Sequence, residues 1–178
     1  MIFQLVEDCS PETCTSVESP SEKSPAHNVF SDTLRELYWS KNQLMRTLLK
    51  LENTALNGQL KRTIHDYFEA TRSHAYSIEH VFELLDENPE GRRCQQTDLS
   101  CANALAMLST KAEGKDKIIR SSIIEFYAQE IASLEYLFTL SLSMGRLDLA
   151  RIIGEMQRKT RTSFEFSFPM SATDTVAA

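Results

Sequence analysis

Residues 31–58 read SDTLRELYWSKNQLMRTLLKLENTALNG, and the spacing of their apolar side chains decides the fold class. Leu34, Leu37, Leu44, Leu48, Leu51 and Ala55 recur at intervals of three, four and seven. Those intervals put them on one face of a helix with about 3.6 residues per turn. Ser31 and Asp32 are residue types that cap helix starts, and Asn57-Gly58 supplies a stop. The stretch predicts one long amphipathic helix that must bury its stripe against something else.

The pattern returns downstream. From about residue 59, Ile64, Phe68, Ala75, Ile78 and Phe82 predict a second helix that stops before Asn88-Pro89-Glu90-Gly91. From about Asp116, Ile119, Ile123, Phe126, Ile131, Leu134, Leu137 and Phe138 predict a third, ending at Met144-Gly145. Ala150, Ile153 and Met156 mark a fourth, from about residue 148 to 162. The segment 98–112 reads as a short connecting helix or a lead-in to the third. Short loops at Asn57-Gly58 and Gly145 make antiparallel neighbours. The expected architecture is all-α: a ferritin-like four-helix bundle made of two helical hairpins joined by a longer crossover. Residues 163–168, SFEFSF, alternate with a period of two, which predicts a short strand or extended arm whose phenylalanines cover a bundle end or a dimer contact.

Composition bounds the rest. A chain of 178 residues with 42% hydrophobic content suffices for one core, and five glycines and five prolines are few enough for a mostly helical chain. Residues 1–28 carry Glu7, Asp8, Glu12, Glu18 and Glu22 against a single Lys23, amid Ser, Thr and Pro. That composition predicts a disordered acidic leader. Residues 29–168 form the bundle with its C-terminal aromatic arm, and 169–178 a disordered tail. The net charge of −6 argues against a nucleic-acid binder, which needs a basic face. No run approaches the roughly 20 apolar residues of a membrane span, and MIFQLVEDCS lacks the basic start and apolar core of a signal peptide. A cytoplasmic location follows as the expectation. Cys9, Cys14, Cys94 and Cys101 lack C-x-x-C spacing and read as reduced thiols. There is no P-loop, nucleophile elbow or dinucleotide fingerprint, so the reading leans away from an enzyme.

Polar residues standing in apolar stripes are where chemistry belongs in such a bundle. Lys41 falls between Leu37 and Leu44, and Glu130 between Phe126 and Leu134. Glu69 sits beside the second stripe with Arg72 three residues on, the spacing of a Glu-x-x-His motif without its histidine. His65 and Glu69 stand at i, i+4, as two ligands on one face would. His74 and His80 are expected as solvated or hydrogen-bonded residues on a helix edge, because no carboxylate stands three or four residues from His74. Arg158-Lys159-Arg161 reads as a cationic helix end.

The run Tyr38-Trp39-Ser40-Lys41-Asn42-Gln43-Leu44, followed by Leu48, Lys50 and Leu51, resembles the first helix of the YciE/YciF-like family of ferritin-like bacterial proteins. The resemblance continues through Phe68-Glu69-Ala70-Thr71, His74 and Ile78-Glu79. It resumes at Glu130-Ile131-Ala132-Ser133, and at Gly145 with Ala150-Arg151-Ile152-Ile153, spanning about residues 34–161. It implies a four-helix bundle, homodimeric, with a di-iron centre and a role in stress response. Carried over by position, that centre is degenerate here. Lys41 occupies the first-helix glutamate position. Glu69 is kept, but Arg72 stands at its histidine position. Glu130 is kept, with Tyr127 at the acidic position three residues earlier, and Arg158-Lys159-Thr160 replaces an acidic run. Lysine and arginine offer a metal no lone pair at neutral pH. The cations Lys41, Arg72 and Arg158 are instead expected to pair with Glu69 and Glu130 inside the bundle. The resulting expectation is a non-catalytic structural or interaction module without a cofactor, either self-associating or engaging an unidentified protein. The alternative is a metal-binding protein with an iron-linked oxidative-stress function, holding iron or manganese through Glu69, His65 and Glu130.

Overall fold

A computed structural model describes residues 24–109 and 114–168. Five α-helices follow one another: α1 (Pro25–Thr54), α2 (Gly58–Leu84), α3 (Gln95–Ala106), α4 (Lys115–Ser143) and α5 (Leu147–Ser167), with a single 3₁₀ turn at Met107–Ser109 after α3. No strand occurs among the described residues.

α1 starts earlier than its sequence suggests. Ser24 is its cap, accepting a hydrogen bond from the His27 amide at 3.3 Å, and Pro25 takes the first helical position, where a missing N–H leaves nothing unsatisfied. Residues 25–28, read from sequence as leader, are therefore helical, while residues 1–23 and 169–178 lie outside the described residues. Ser31 and Asp32 are inside the helix and have other partners. Ser31 is buried and donates to Glu87 Oε1 at 3.1 Å, and Asp32 pairs with Arg92 at 2.7 Å. Asn57, read as the stop of α1, is the cap of α2: its Oδ1 accepts from the Gln59 and Leu60 amides at 2.8 and 3.0 Å. The Asp116 carboxylate accepts from the Leu56 and Asn57 amides at 2.8 and 2.9 Å, which ties this hairpin loop to the first turn of α4.

α1–α2 and α4–α5 are the two hairpins, and they pack face to face through α1 on α4 and α2 on α5. The interior divides into two apolar clusters stacked along the bundle. At one end, Leu44, Leu48, Leu51, Leu60, Ile64, Ile119 and Ile123 meet; at the other, Phe30, Leu34, Ile78, Phe82, Leu134, Leu137 and Ile153. Burying each such side chain stabilises the fold by about 1.5–3 kcal/mol before chain entropy is subtracted. α2 ends in the second cluster and α4 begins in the first, so the connection between them, described over residues 85–109, has the length of the bundle to span. It is fastened to α1. The Arg92 amide donates to the Arg35 carbonyl at 3.1 Å, and Trp39 Nε1 donates to Asp98 Oδ1 at 3.2 Å. Gly91 lies against Trp39, where a Cβ would come within 3.4 Å of the Trp39 backbone. α3 covers the seam between α1 and α4.

The SFEFSF segment is helix, not strand. α5 runs on through Ser167 because no glycine or proline falls between Gly154 and Pro169. Phe164 and Phe168, one turn apart, fold onto the first cluster and cover that end of the bundle as expected, whereas Phe166 points away and is 89% exposed. No helix among the described residues is long and apolar enough to cross a membrane.

Gly154 marks where α5 meets α4: a Cβ there would lie 3.0 Å from Phe138 Cε2 and 3.3 Å from Cδ2. Gly154→Leu should push the helices apart and cost about 1–3 kcal/mol, as overpacking does. Urea unfolding followed by circular dichroism measures it, and an unchanged midpoint would refute the close approach.

Candidate functional site

Between the two apolar clusters, at mid-height, the interior turns polar. Each helix of the bundle contributes. Lys41 comes from α1, Tyr67 and His74 from α2, Glu130 from α4 and Thr160 from α5, and all are buried. Helical spacing explains the convergence. Lys41 sits four residues past Leu37 and three before Leu44, so it must share their face. Glu130 stands likewise between Phe126 and Leu134.

The Glu130 carboxylate is the hub. Oε1 faces Lys41 Nζ in an ion pair and accepts from His74 Nδ1 at 2.9 Å and from Thr160 Oγ1 at 3.0 Å. Oε2 accepts from Tyr67 Oη at 3.0 Å. Three of these groups crowd Oε1 and one serves Oε2, so both carboxylate oxygens are engaged. The contact requires His74 to carry its proton on Nδ1 if the ring is neutral. Burial favours the neutral acid at Glu130, but Lys41 and His74 outweigh it and hold the group well below the ordinary carboxylate range. Burial also pushes the Lys41 ammonium down, and the Glu130 charge opposes that shift. We take the charged pair as the resting state, since a cation and proton donors face both carboxylate oxygens, which suits the anion and not the acid. Burial, then the nearby Glu130 charge, raises the hydroxyl of Tyr67 and that of Tyr127. The two rings stack with centroids 3.9 Å apart and planes 16° from parallel.

Lys41 is less fully served than its partner. Its side chain is 1% exposed and in ionic contact with Glu130, yet Nζ makes no well-formed hydrogen bond among the described residues. The contact distance and the bond geometry therefore differ in what they imply. A close ion pair with unspent N–H donors accounts for both.

Of the residues singled out in the sequence, Lys41 and Glu130 meet as expected and Tyr127 joins the wall of their site. Glu69 and Arg72 pair with each other instead, at the surface and 40% and 52% exposed. Arg158 is exposed as well, because it faces away from the Met156–Thr160 side of α5. His65 is also at the surface, 3.4 Å from Glu52 Oε1, and does not reach Glu69 or Glu130. The proposed ligands Glu69, His65 and Glu130 are therefore not brought together. Among the described residues no group of three His, Cys, Asp or Glu side chains is placed to hold a metal ion. The donor set at mid-bundle does not fit a metal: it has one carboxylate, one imidazole already engaged with that carboxylate, and an ammonium pressed against both. His74 corrects the sequence reading most. It is a buried partner of Glu130, 56 positions away in the chain and so beyond the reach of local spacing. Tyr67 was not singled out; its hydroxyl next to an apolar stripe was the only signal. Arg158, Lys159 and Arg161 do not end a helix either. Lys159 pairs with Glu155 and Arg161 with Glu135 on a solvated face.

A family model described as "Domain of unknown function (DUF892)" matches residues 25–163. Among solved structures, YcfI of Rhodopseudomonas palustris, described as a candidate structural protein, superposes with a TM-score of 0.76 at 20% identity, covering 90% of this chain and 99% of its own. The stress protein YciF of E. coli superposes with a TM-score of 0.74 at 23% identity, covering 79% of this chain and 91% of its own. Among curated proteins none matches. At these identities the structures speak for the helical-bundle fold, and the resemblance to the YciE/YciF-like family read from sequence is borne out.

Removing one member of the central pair should be costly. Lys41→Met or Glu130→Gln alone should lower stability by about 3–5 kcal/mol, because the remaining charge or donor set is left buried without its partner. The double variant should lose clearly less than the sum of the two, a coupling that urea unfolding of all four proteins would measure. Additive losses would mean that the pair is not formed. Acid should act through the same group. With its folded-state pKa below the ordinary glutamate value of 4.5, Glu130 is protonated first in the unfolded chain. Its contribution is complete above that value and lost as pH falls toward the folded pKa. Melting temperature should therefore fall less steeply below pH 4.5 in Glu130→Gln than in the parent.

Proposed function

The chain belongs to the DUF892 family, and on that premise we propose that it is a non-catalytic ferritin-like bundle, a structural or interaction module of the stress-associated kind. One observation carries the reading. Where a di-metal bundle would aim carboxylates and imidazoles from four helices, this chain aims a lysine ammonium at a glutamate. The charge that a metal would supply is supplied by a side chain. The site presents no nucleophile activated by a base and no second free carboxylate for acid–base work. Further support comes from the two superposable proteins, one described as a stress protein and one as a candidate structural protein. The same reading places the chain in the cytoplasm and as a homodimer, with a further protein partner allowed.

Elemental analysis of protein purified from an iron-supplemented culture tests the central point. Iron and manganese should be far below one equivalent per chain, and the parent and Glu130→Gln should not differ. A near-stoichiometric content of either metal that Glu130→Gln abolishes would overturn the reading. Sedimentation velocity should show a species of twice the chain mass, and a monomer at high micromolar concentration would remove the dimer from it.

A further inference from the structure

An open groove of about 830 Å³ runs between α1 and α3. Trp39, Arg46 and Lys50 line its α1 side, and Leu99, Ala102 and Leu105 its α3 side. α3 turns Thr97, Ser100, Cys101 and Ala104 inward, which leaves Leu99 on the outer face, 55% exposed. One wall of the groove is therefore apolar and the other carries cations.

Those cations are unbalanced. Arg93 pairs with Asp98, which also accepts from Trp39 Nε1. Glu52, the α1 carboxylate nearest to Lys50 in the chain, contacts His65. Arg46 and Lys50 are exposed and have no ion pair among the described residues. They stand one helical turn apart, where like charges repel. An occupant that suits this groove brings apolar side chains and carboxylates together.

The chain itself contains such a segment. Residues 2–8, which lie outside the described residues, read IFQLVED. Ile2, Phe3, Leu5 and Val6 lead directly into Glu7 and Asp8. For scale, about 150 Å³ of apolar cavity holds a benzene molecule, so the groove takes the Phe3 ring with its aliphatic neighbours. Reach allows the contact. Arg46 lies about 33 Å along α1 from Ser24 at 1.5 Å per residue, and the chain between Asp8 and Ser24 spans up to about 53 Å. A tether of this kind holds its end at a roughly millimolar effective concentration, which favours the chain's own segment over a separate one.

We propose that residues 2–8 dock in the groove between α1 and α3 of their own chain, with the apolar side chains against Leu99 and Leu105 and the Glu7 and Asp8 carboxylates paired to Arg46 and Lys50. The inference goes beyond the structural role above and stands on the groove and its unpaired cations, so either can fail without the other.

Amide ¹H–¹⁵N heteronuclear NOE values of the full chain at physiological salt test it. Residues 3–8 should give values as high as those of α1. Replacing Ile2→Asp together with Phe3→Asp should release the segment, lowering those values and moving the resonances of Leu99, Ala102 and Leu105. The pair Glu7→Lys and Asp8→Lys should release it too, as should the pair Arg46→Glu and Lys50→Glu. Because Arg46 and Lys50 are exposed, the last pair should keep the melting temperature within a few degrees. Joining both charge reversals in one chain should restore the high values. A ¹⁵N-labelled chain carrying Ile2→Asp and Phe3→Asp, mixed with an equal amount of unlabelled parent, should keep its groove resonances at the released positions. Three outcomes overturn the proposal: low values at residues 3–8 in the parent, charge reversals that neither release the segment singly nor restore it together, or recovery of the parent shifts in the mixed sample, which seats the segment of a second copy there.

Discussion

A lysine ammonium and a glutamate carboxylate, enclosed together in an apolar interior, constrain the rest of this molecule. Either charge alone in that position would carry a desolvation penalty of several kcal/mol. Only one arrangement of four helices gives Glu130 its ammonium, imidazole, phenol and threonine hydroxyl at once. Sliding any helix by a turn would strip the carboxylate of a donor while leaving it buried. The apolar clusters above and below could tolerate such a slip far better, since leucine and isoleucine faces are interchangeable to within a packing adjustment. The layer at mid-bundle therefore sets the register, and the clusters supply the bulk of the stability.

That division of labour explains the structure around the pair. The stacked rings of Tyr67 and Tyr127 form the floor between the polar layer and the first cluster, so that Tyr67 presents its hydroxyl to Glu130 and its ring to apolar neighbours. Thr160 Oγ1 lies 2.9 Å from the Met156 carbonyl and 3.0 Å from Glu130 Oε1, and its single proton is shared between them. Farther out, ion pairs such as Glu69–Arg72 and Glu155–Lys159 are exposed and contribute little, as solvated pairs do.

The sequence was legible wherever the determinant was local. Stripes at helical spacing located all four bundle helices and put Lys41 and Glu130 on buried faces. It was misleading where one residue pattern fits two periods. Phe164, Phe166 and Phe168 alternate like a strand, yet the outer two are also one helical turn apart, and the uninterrupted chain decides for helix. It was silent where the determinant was tertiary. Nothing near His74 in the chain signals that Glu130 waits on another helix, and nothing near Glu69 signals that its side chain faces water. The start of α1 was missed for a related reason: Ser31 and Ser24 are equally good caps as residue types, and Pro25 settles the choice.

The path of the crossover bears on how this chain folds. Lys41, Tyr67 and His74 belong to the α1–α2 hairpin, and Glu130 and Thr160 to the α4–α5 hairpin. Each hairpin is assembled from neighbours close in sequence, whereas their docking closes the longer connection between α2 and α4. Until that moment both charges remain hydrated, and neither hairpin alone has an interior that must accommodate one. Dehydration of the pair thus belongs to the docking of the two hairpins, which brings its two halves together. A docking that misses this contact leaves a charge buried without its partner, a penalty that the apolar faces alone would not impose.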